Sequence, residues 1–193
     1  MIRVSVLPAS ARVAVAWRNG GGITREVAVA PPGAGLADFD WRISLAEVTE
    51  PGPFSLFEGV DRVLTVVRGQ LLLGFAGGEV TVGEDAAPCA FAGDVACWGT
   101  PVGGAVTDLN VMTRRGRFAA SVARVAGAFH AAGAPCVFVA LGAGVLRAGE
   151  LSLPLAAHDA AVTDAACALA FDGAGILVTI NPVGAAGVFS RLA

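Results

Sequence analysis

Apolar and polar residues alternate with a period of two along most of this chain. Arg3-Val4-Ser5-Val6, Glu26-Val27-Ala28-Val29, Arg42-Ile43-Ser44-Leu45 and Glu79-Val80-Thr81-Val82 show the pattern, and Ser121–Val125 and Glu150–Leu153 repeat it. Successive side chains of a strand point to opposite faces, so this alternation predicts half-covered β-strands. Arg62–Val67, Cys136–Leu141 and Ile176–Ile180 are largely apolar throughout, as strands covered on both faces would be. No helical stripe of any length is present. The 26 glycines and 10 prolines fall mainly between these runs as turn punctuation. Many short strands with regular turns predict an all-β sandwich or barrel.

One strand–turn–strand plan occurs twice. Val63–Gly69, Glu79–Val82, Asp85-Ala86-Ala87 and Cys89-Ala90-Phe91 are followed, in the same order, by Val137–Gly142, Glu150–Leu153, Asp159-Ala160-Ala161 and Cys167-Ala168-Leu169. Duplication of a barrel-sized unit explains the order better than one large sandwich does. The halves differ chemically. Before Arg117, Arg, Asp, Glu, Asn, Thr and Trp sit at strand edges; after it Gly and Ala dominate. A ligand site therefore belongs to the N-terminal half.

Composition narrows the function. Hydrophobic types are 55% and charged types 15% of the 193 residues, which is the opposite of a disordered chain. The net charge is −3 and all 13 basic residues are arginine, with no basic stripe of the kind a nucleic-acid protein carries. A mean hydropathy of +0.69 raises the membrane question. The longest charge-free stretches, Ala131–Leu146 and Gly173–Ser190, are broken by glycine and proline and cannot form apolar spanning helices. No signal-peptide pattern occurs in the first residues, so a cytoplasmic address is expected. Cys89, Cys97, Cys136 and Cys167 are too widely spaced for a zinc or redox motif and read as buried free thiols. With His130 and His158 as the only histidines, no metal set and no cofactor is expected. A hydrolytic triad is likewise unsupported, because no Gly-x-Ser-x-Gly elbow occurs.

Four clusters can carry chemistry. Trp17-Arg-Asn-Gly-Gly-Gly-Ile-Thr-Arg-Glu26 runs three glycines into a strand that puts Thr24 and Glu26 on one face and Arg25 on the other. Glycine N–H groups there can face an anion or another strand, or simply form a rim turn. Trp41–Val48 places Arg42, Ser44 and Ala46 on one face, which suits a polar barrel interior or a half-solvated strand. Gly52–Arg62 is an aromatic-bearing loop delivering Asp61 and Arg62 to an apolar strand. The Arg62 guanidinium can fork onto a carboxylate, with Asp61 orienting it; the plain alternative is an Asp61–Arg62 surface pair. In Thr107–Arg117, Asp108 and Asn110 share a face, and Arg114, Arg115 and Arg117 crowd a solvated turn.

Read in order, these clusters resemble the HutD/Ves family. The matching segments are Trp17–Glu26, Phe39–Ala46, Gly52–Arg62 and Asp108–Gly116, within roughly the first 120 residues; Leu109 replaces an expected phenylalanine. The resemblance implies an all-β, cupin-like double barrel (bicupin) of antiparallel jelly-roll type. Residues 1–117 would form the half with the pocket and residues 118–193 a scaffold half, with strands exchanged between them. It also implies a modulator of bacterial histidine utilisation that binds a small anionic metabolite, urocanate or formylglutamate. Arg62 would be the anchor, with Thr24, Glu26, Arg42, Ser44, Asp108 and Asn110 lining the pocket. Neither nucleic acid nor membrane is an expected partner, and a homodimer is left open. The alternative is a cofactor-free isomerase, lyase or deformylase using Glu26 or Asp108 as general acid/base around an Arg62-bound carboxylate. A third reading is a protein-binding barrel with a vestigial pocket.

Overall fold

The computed structural model describes residues 3–133 and 135–184; the end of the Gly173–Ser190 stretch and of the 118–193 half lies outside the described residues. Strands come first as β1 (Val4–Leu7), β2 (Ala14–Ala16), β3 (Gly22–Ala30), β4 (Trp41–Val48), β5 (Gly52–Pro53), β6 (Val60–Phe75), β7 (Gly78–Gly83), β8 (Cys89–Ala92) and β9 (Trp98–Arg114). They continue as β10 (Phe118–Ala131), β11 (Cys136–Ala140), β12 (Gly144–Ala148), β13 (Leu151–Leu155), β14 (Ala160–Thr163) and β15 (Cys167–Pro182). A 3₁₀ turn at Ala9–Ala11 links β1 to β2. Every segment predicted from period two falls within or on one of these strands. Among the described residues no helix is long and apolar enough to cross a membrane.

All strand pairs are antiparallel, in two sheets. One runs β2-β3-β4-β9-β6-β7, with β5 added to β9 and β8 to β6; the other runs β1-β14-β11-β15-β12-β13, with β10 added to β15. The long strands curl the first sheet. Pairing of β6 with β9 shifts register twice, between Val66 and Arg68 and between Arg68 and Gln70. Before the shifts the even residues Leu64 and Val66 face the core; after them the odd residues Leu71 and Leu73 do, and all four join one apolar cluster. Irregularities of this kind bend a strand and re-aim its side chains. Two arms of one ribbon thus enclose a common interior.

The strand orders reproduce the repeat. The first part of β6 lies between β9 and β8, as β11 lies between β15 and β14. The second part of β6 pairs with β7 as β12 pairs with β13. One landmark of the sequence echo is misplaced, however. Cys89 opens the short strand β8, whose counterpart is β14, whereas Cys167 opens the long strand β15. A chance Cys-Ala pair in an alanine-rich chain caused that mismatch.

The odd-numbered face of β4 and β9 packs against the second sheet. Ile43, Leu45, Leu109 and Val111 join Val137, Val139, Ile176, Val178 and Ile180 in one buried cluster. The N-terminal strand crosses this boundary: β1 pairs with β14 of the second sheet, and the chain then returns to the first through β2. The opposite, even-numbered face of β4 and β9 looks into the curl of the first sheet. That face holds the candidate site.

Candidate functional site

The ladder brings all seven sequence-predicted residues onto one face. Opposed pairs in an antiparallel ladder project to the same side. Thr24 lies opposite Ala46 and Glu26 opposite Ser44; across the next ladder Ala46 meets Asp108, Ser44 meets Asn110 and Arg42 meets Met112. On β6, Arg62 faces Met112 and Leu64 faces Asn110. A polar row therefore crosses four strands, from Thr24 and Glu26 through Arg42, Ser44, Asp108 and Asn110 to Arg62.

Its outer end is wet and its inner end is dry. The Arg42 Nε–H donates to Glu26 Oε2 at 2.8 Å, and Arg42 Nη1 reaches Ser44 Oγ at 3.4 Å. Trp17 Nε1–H donates to Thr24 Oγ1 at 2.7 Å. Thr24, Glu26 and Arg42 line a cleft of about 480 Å³, whose other wall comes from Leu7–Val15. Ser44, Asn110, Asp108 and Arg62 are buried and do not line it.

Arg62 is only 5% exposed. Its guanidinium carbon sits 5.3 Å from the Phe54 ring centroid, 5.7 Å from Phe57 and 5.0 Å from Phe91. Three aromatic faces stabilise the cation without satisfying its N–H groups. Those reach only Asn110 Oδ1 at 3.5 Å and the Ser55 carbonyl at 3.4 Å, and among the described residues no carboxylate lies within ion-pair distance. Burial lowers the Arg62 pKa, opposed by the nearby Asp108 charge. Asp108 is 1% exposed, and among the described residues neither carboxylate oxygen has a hydrogen-bond partner. Desolvation raises its pKa to about 7, with Arg62 pulling the other way. The interior therefore holds a cation with unused donors and a carboxyl with unused acceptors. Cys97 is buried close by, and its thiol is raised to about 11 by desolvation.

Several sequence readings need correction. Asp61 does not orient Arg62: it is exposed on the other face of β6 and accepts from Arg115 Nε at 2.7 Å. Arg114, Arg115 and Arg117 are not a merely solvated turn. Arg114 donates to the carbonyls of Ala37, Phe39 and Glu58, Arg115 also binds Asp94, and Arg117 pairs with Asp40. The triple glycine is a packing device. Gly20 adopts φ +75°, Gly21 N–H donates to Asn19 Oδ1, and a Cβ on Gly22 would collide with the Glu47 carbonyl and press on the Trp17 ring. Period-two reasoning missed Phe91, since β8 is too short to show a pattern. It also gave no role to Trp17 or Arg12. All four cysteines are free, and Cys89 is only half-buried. Among the described residues, no three His, Cys, Asp or Glu side chains gather as a metal set would.

A family model described as HutD matches residues 9–179. The chain belongs to the HutD family. HutD from Pseudomonas fluorescens SBW25 superimposes with a TM-score of 0.81 at 28% identity, covering 94% of this chain and all of that one. The fold is thus the all-β cupin fold of the HutD family. Protein Ves of Citrobacter koseri is 42% identical over 108 residues, 55% of this chain. An uncharacterised 21.2 kDa protein of the hutC 3′ region of Pseudomonas putida is 34% identical over 123 residues, 62% of this chain. The chain spans 56% and 63% of the length of these two curated relatives.

Proposed function

We propose that this HutD-family chain binds a small anionic metabolite of histidine degradation, of urocanate or formylglutamate type, in the cytoplasm and thereby modulates that pathway. No metal takes part in this reading. The observation that carries it is the buried Arg62, whose guanidinium is caged by three phenyl rings yet has no carboxylate partner among the described residues. A buried cation left with unused donors favours an incoming anion, and guanidinium is the group that takes a carboxylate through two parallel N–H bonds. Asp108 narrows the choice, because its free oxygens ask for an N–H donor on the same ligand. Urocanate and formylglutamate each carry a carboxylate and an N–H group. The hutC-region location named for the Pseudomonas putida relative supports the pathway.

Calorimetric titration with both metabolites tests the reading. Heat is expected with at least one of them, abolished in Arg62→Met, which retains a long apolar stem among the rings. Absence of heat with both contradicts the proposal.

Asp108 also favours a second reading, cofactor-free acid/base catalysis on the same carboxylate. A carboxyl held at about 7 is matched to proton transfer near neutrality. Unchanged NMR spectra of either metabolite after hours with stoichiometric protein would count against catalysis.

A further inference from the structure

A second polar cleft, of about 210 Å³, lies on the face of β4 and β9 opposite to Arg62. Arg12, Arg25, Glu47, Thr107 and His158 line it. Arg25 sits opposite Leu45, and Glu47 opposite Thr107, so these side chains share the face that meets the second sheet. Arg12 follows the 3₁₀ turn, and His158 belongs to the loop before β14. Five separate segments of the chain converge there.

Each guanidinium of this cleft has an acid nearby but is held loosely. Arg12 is half-buried, its Nε has no partner, and its Nη2 reaches only the Leu7 carbonyl at 3.2 Å. Asp159 is the acid whose charge acts on Arg12, but its oxygens already accept the N–H groups of Ala9 at 2.7 Å and Ala156 at 2.8 Å. Arg25 meets Glu47 loosely at 3.8 Å, with both side chains partly exposed. Burial lowers the pKa of His158, and the charges of Arg12 and Arg25 lower it further. His158 also stands at φ +69°, in a turn closed by the Asp159 N–H on the Ala156 carbonyl, and its own N–H ties the turn to Ala140 at the end of β11. Glycine would hold that left-handed conformation with less strain. What the turn gains from histidine is an imidazole in the lining of the cleft.

We infer that this cleft is a second ligand site, taking a small, multiply charged oxyanion of phosphate type between Arg12, Arg25 and His158. The three groups come from separate segments of the chain, and Thr107, also in the lining, offers a hydroxyl donor. Binding fills the unused Arg12 Nε donor and ties the N-terminal segment to both sheets. This site is separate from the interior around Arg62 and does not depend on what that interior binds.

His130 and His158 are the only histidines, which makes the test direct. NMR titration with millimolar inorganic phosphate is expected to shift the His158 ring signals and raise the His158 pKa, leaving His130 unchanged. His158→Gly assigns the resonance and suits the backbone of the turn. Arg25→Gln, at a partly exposed position, weakens phosphate binding by about tenfold, whereas Glu47→Gln strengthens it by about threefold. Sodium chloride at matched ionic strength must not reproduce the shift. Equal movement of both histidines, an identical effect of chloride, or no movement at all overturns the inference. So does a response to urocanate or formylglutamate without one to phosphate.

Discussion

Asp108 shows how one buried side chain makes stability depend on pH. Its carboxyl titrates near 3.8 in the unfolded chain and at about 7 in the folded one. Below about pH 4 both states carry the proton and the stabilising difference is fully present. As pH rises towards 7 the unfolded chain releases a proton that the native state retains, so native stability falls. The loss by pH 8 is worth up to about 4 kcal/mol. Asp108→Asn keeps the shape and removes the titration. Denaturation at pH 5 and pH 8 is therefore expected to show the gap between variant and parent widening in favour of the variant; a constant gap contradicts this account. A ligand that donates an N–H to Asp108 stabilises the ionised form and draws its pKa back down. At this scale the sequence was informative about which face a residue takes, because period two is a property of the backbone itself. It was poor about partners. Asp61 finds Arg115 rather than its neighbour Arg62, since adjacent strand residues point apart and the true partner arrives through the β9 ladder. Two rings of the Arg62 cage, Phe54 and Phe57, were visible in the loop that delivers Arg62. The third, Phe91, comes from a strand pairing that no local pattern announces.

At the scale of elements, irregularities in the long strands decide what encloses the site. The register shifts near Arg68 switch β6 from even to odd residues facing inward, so a strict alternation drawn through β6 assigns its second half to the wrong side. Such shifts are settled by tertiary fit and leave only a faint trace in the chain, here Gly69 at φ +87°. The second sheet uses close backbone approach as well. A Cβ on Gly175 would fall on the Phe138 ring, which is fully buried beside Phe129 and Phe171. Gly175→Ala is expected to cost about 1–3 kcal/mol by overpacking, measured by chemical denaturation. Gly77→Ala, where nothing lies within 4 Å of the added methyl, serves as the near-neutral comparison. Equal stability of the two variants would show that the Phe138 stack can yield. The duplicated plan was readable in the sequence because each strand keeps its place in the order, even though one landmark was paired with the wrong strand.

For the whole molecule, the apolar cluster between the sheets and the crossing of β1 make the two halves interdependent. Val4 and Val6 pack into the core of the second sheet, while Leu7 reaches the cluster shared by both. Heating is expected to unfold the protein in one transition, and Val6→Asp to lower its Tm without splitting it; two separated transitions would contradict this. The polarity difference between the halves was legible from composition, but the second cleft was not, because its lining comes from five separate segments. The crossing also has a consequence in time. Residues 4–7 leave the ribosome well before the strand they pair with, residues 160–163, which is synthesised more than a hundred residues later. Until then the start of the chain has no edge to join, and its valines stay exposed to solvent or to a chaperone. Closure of the second sheet therefore waits for β14 and β15, so synthesis itself sets the earliest moment at which that sheet can form.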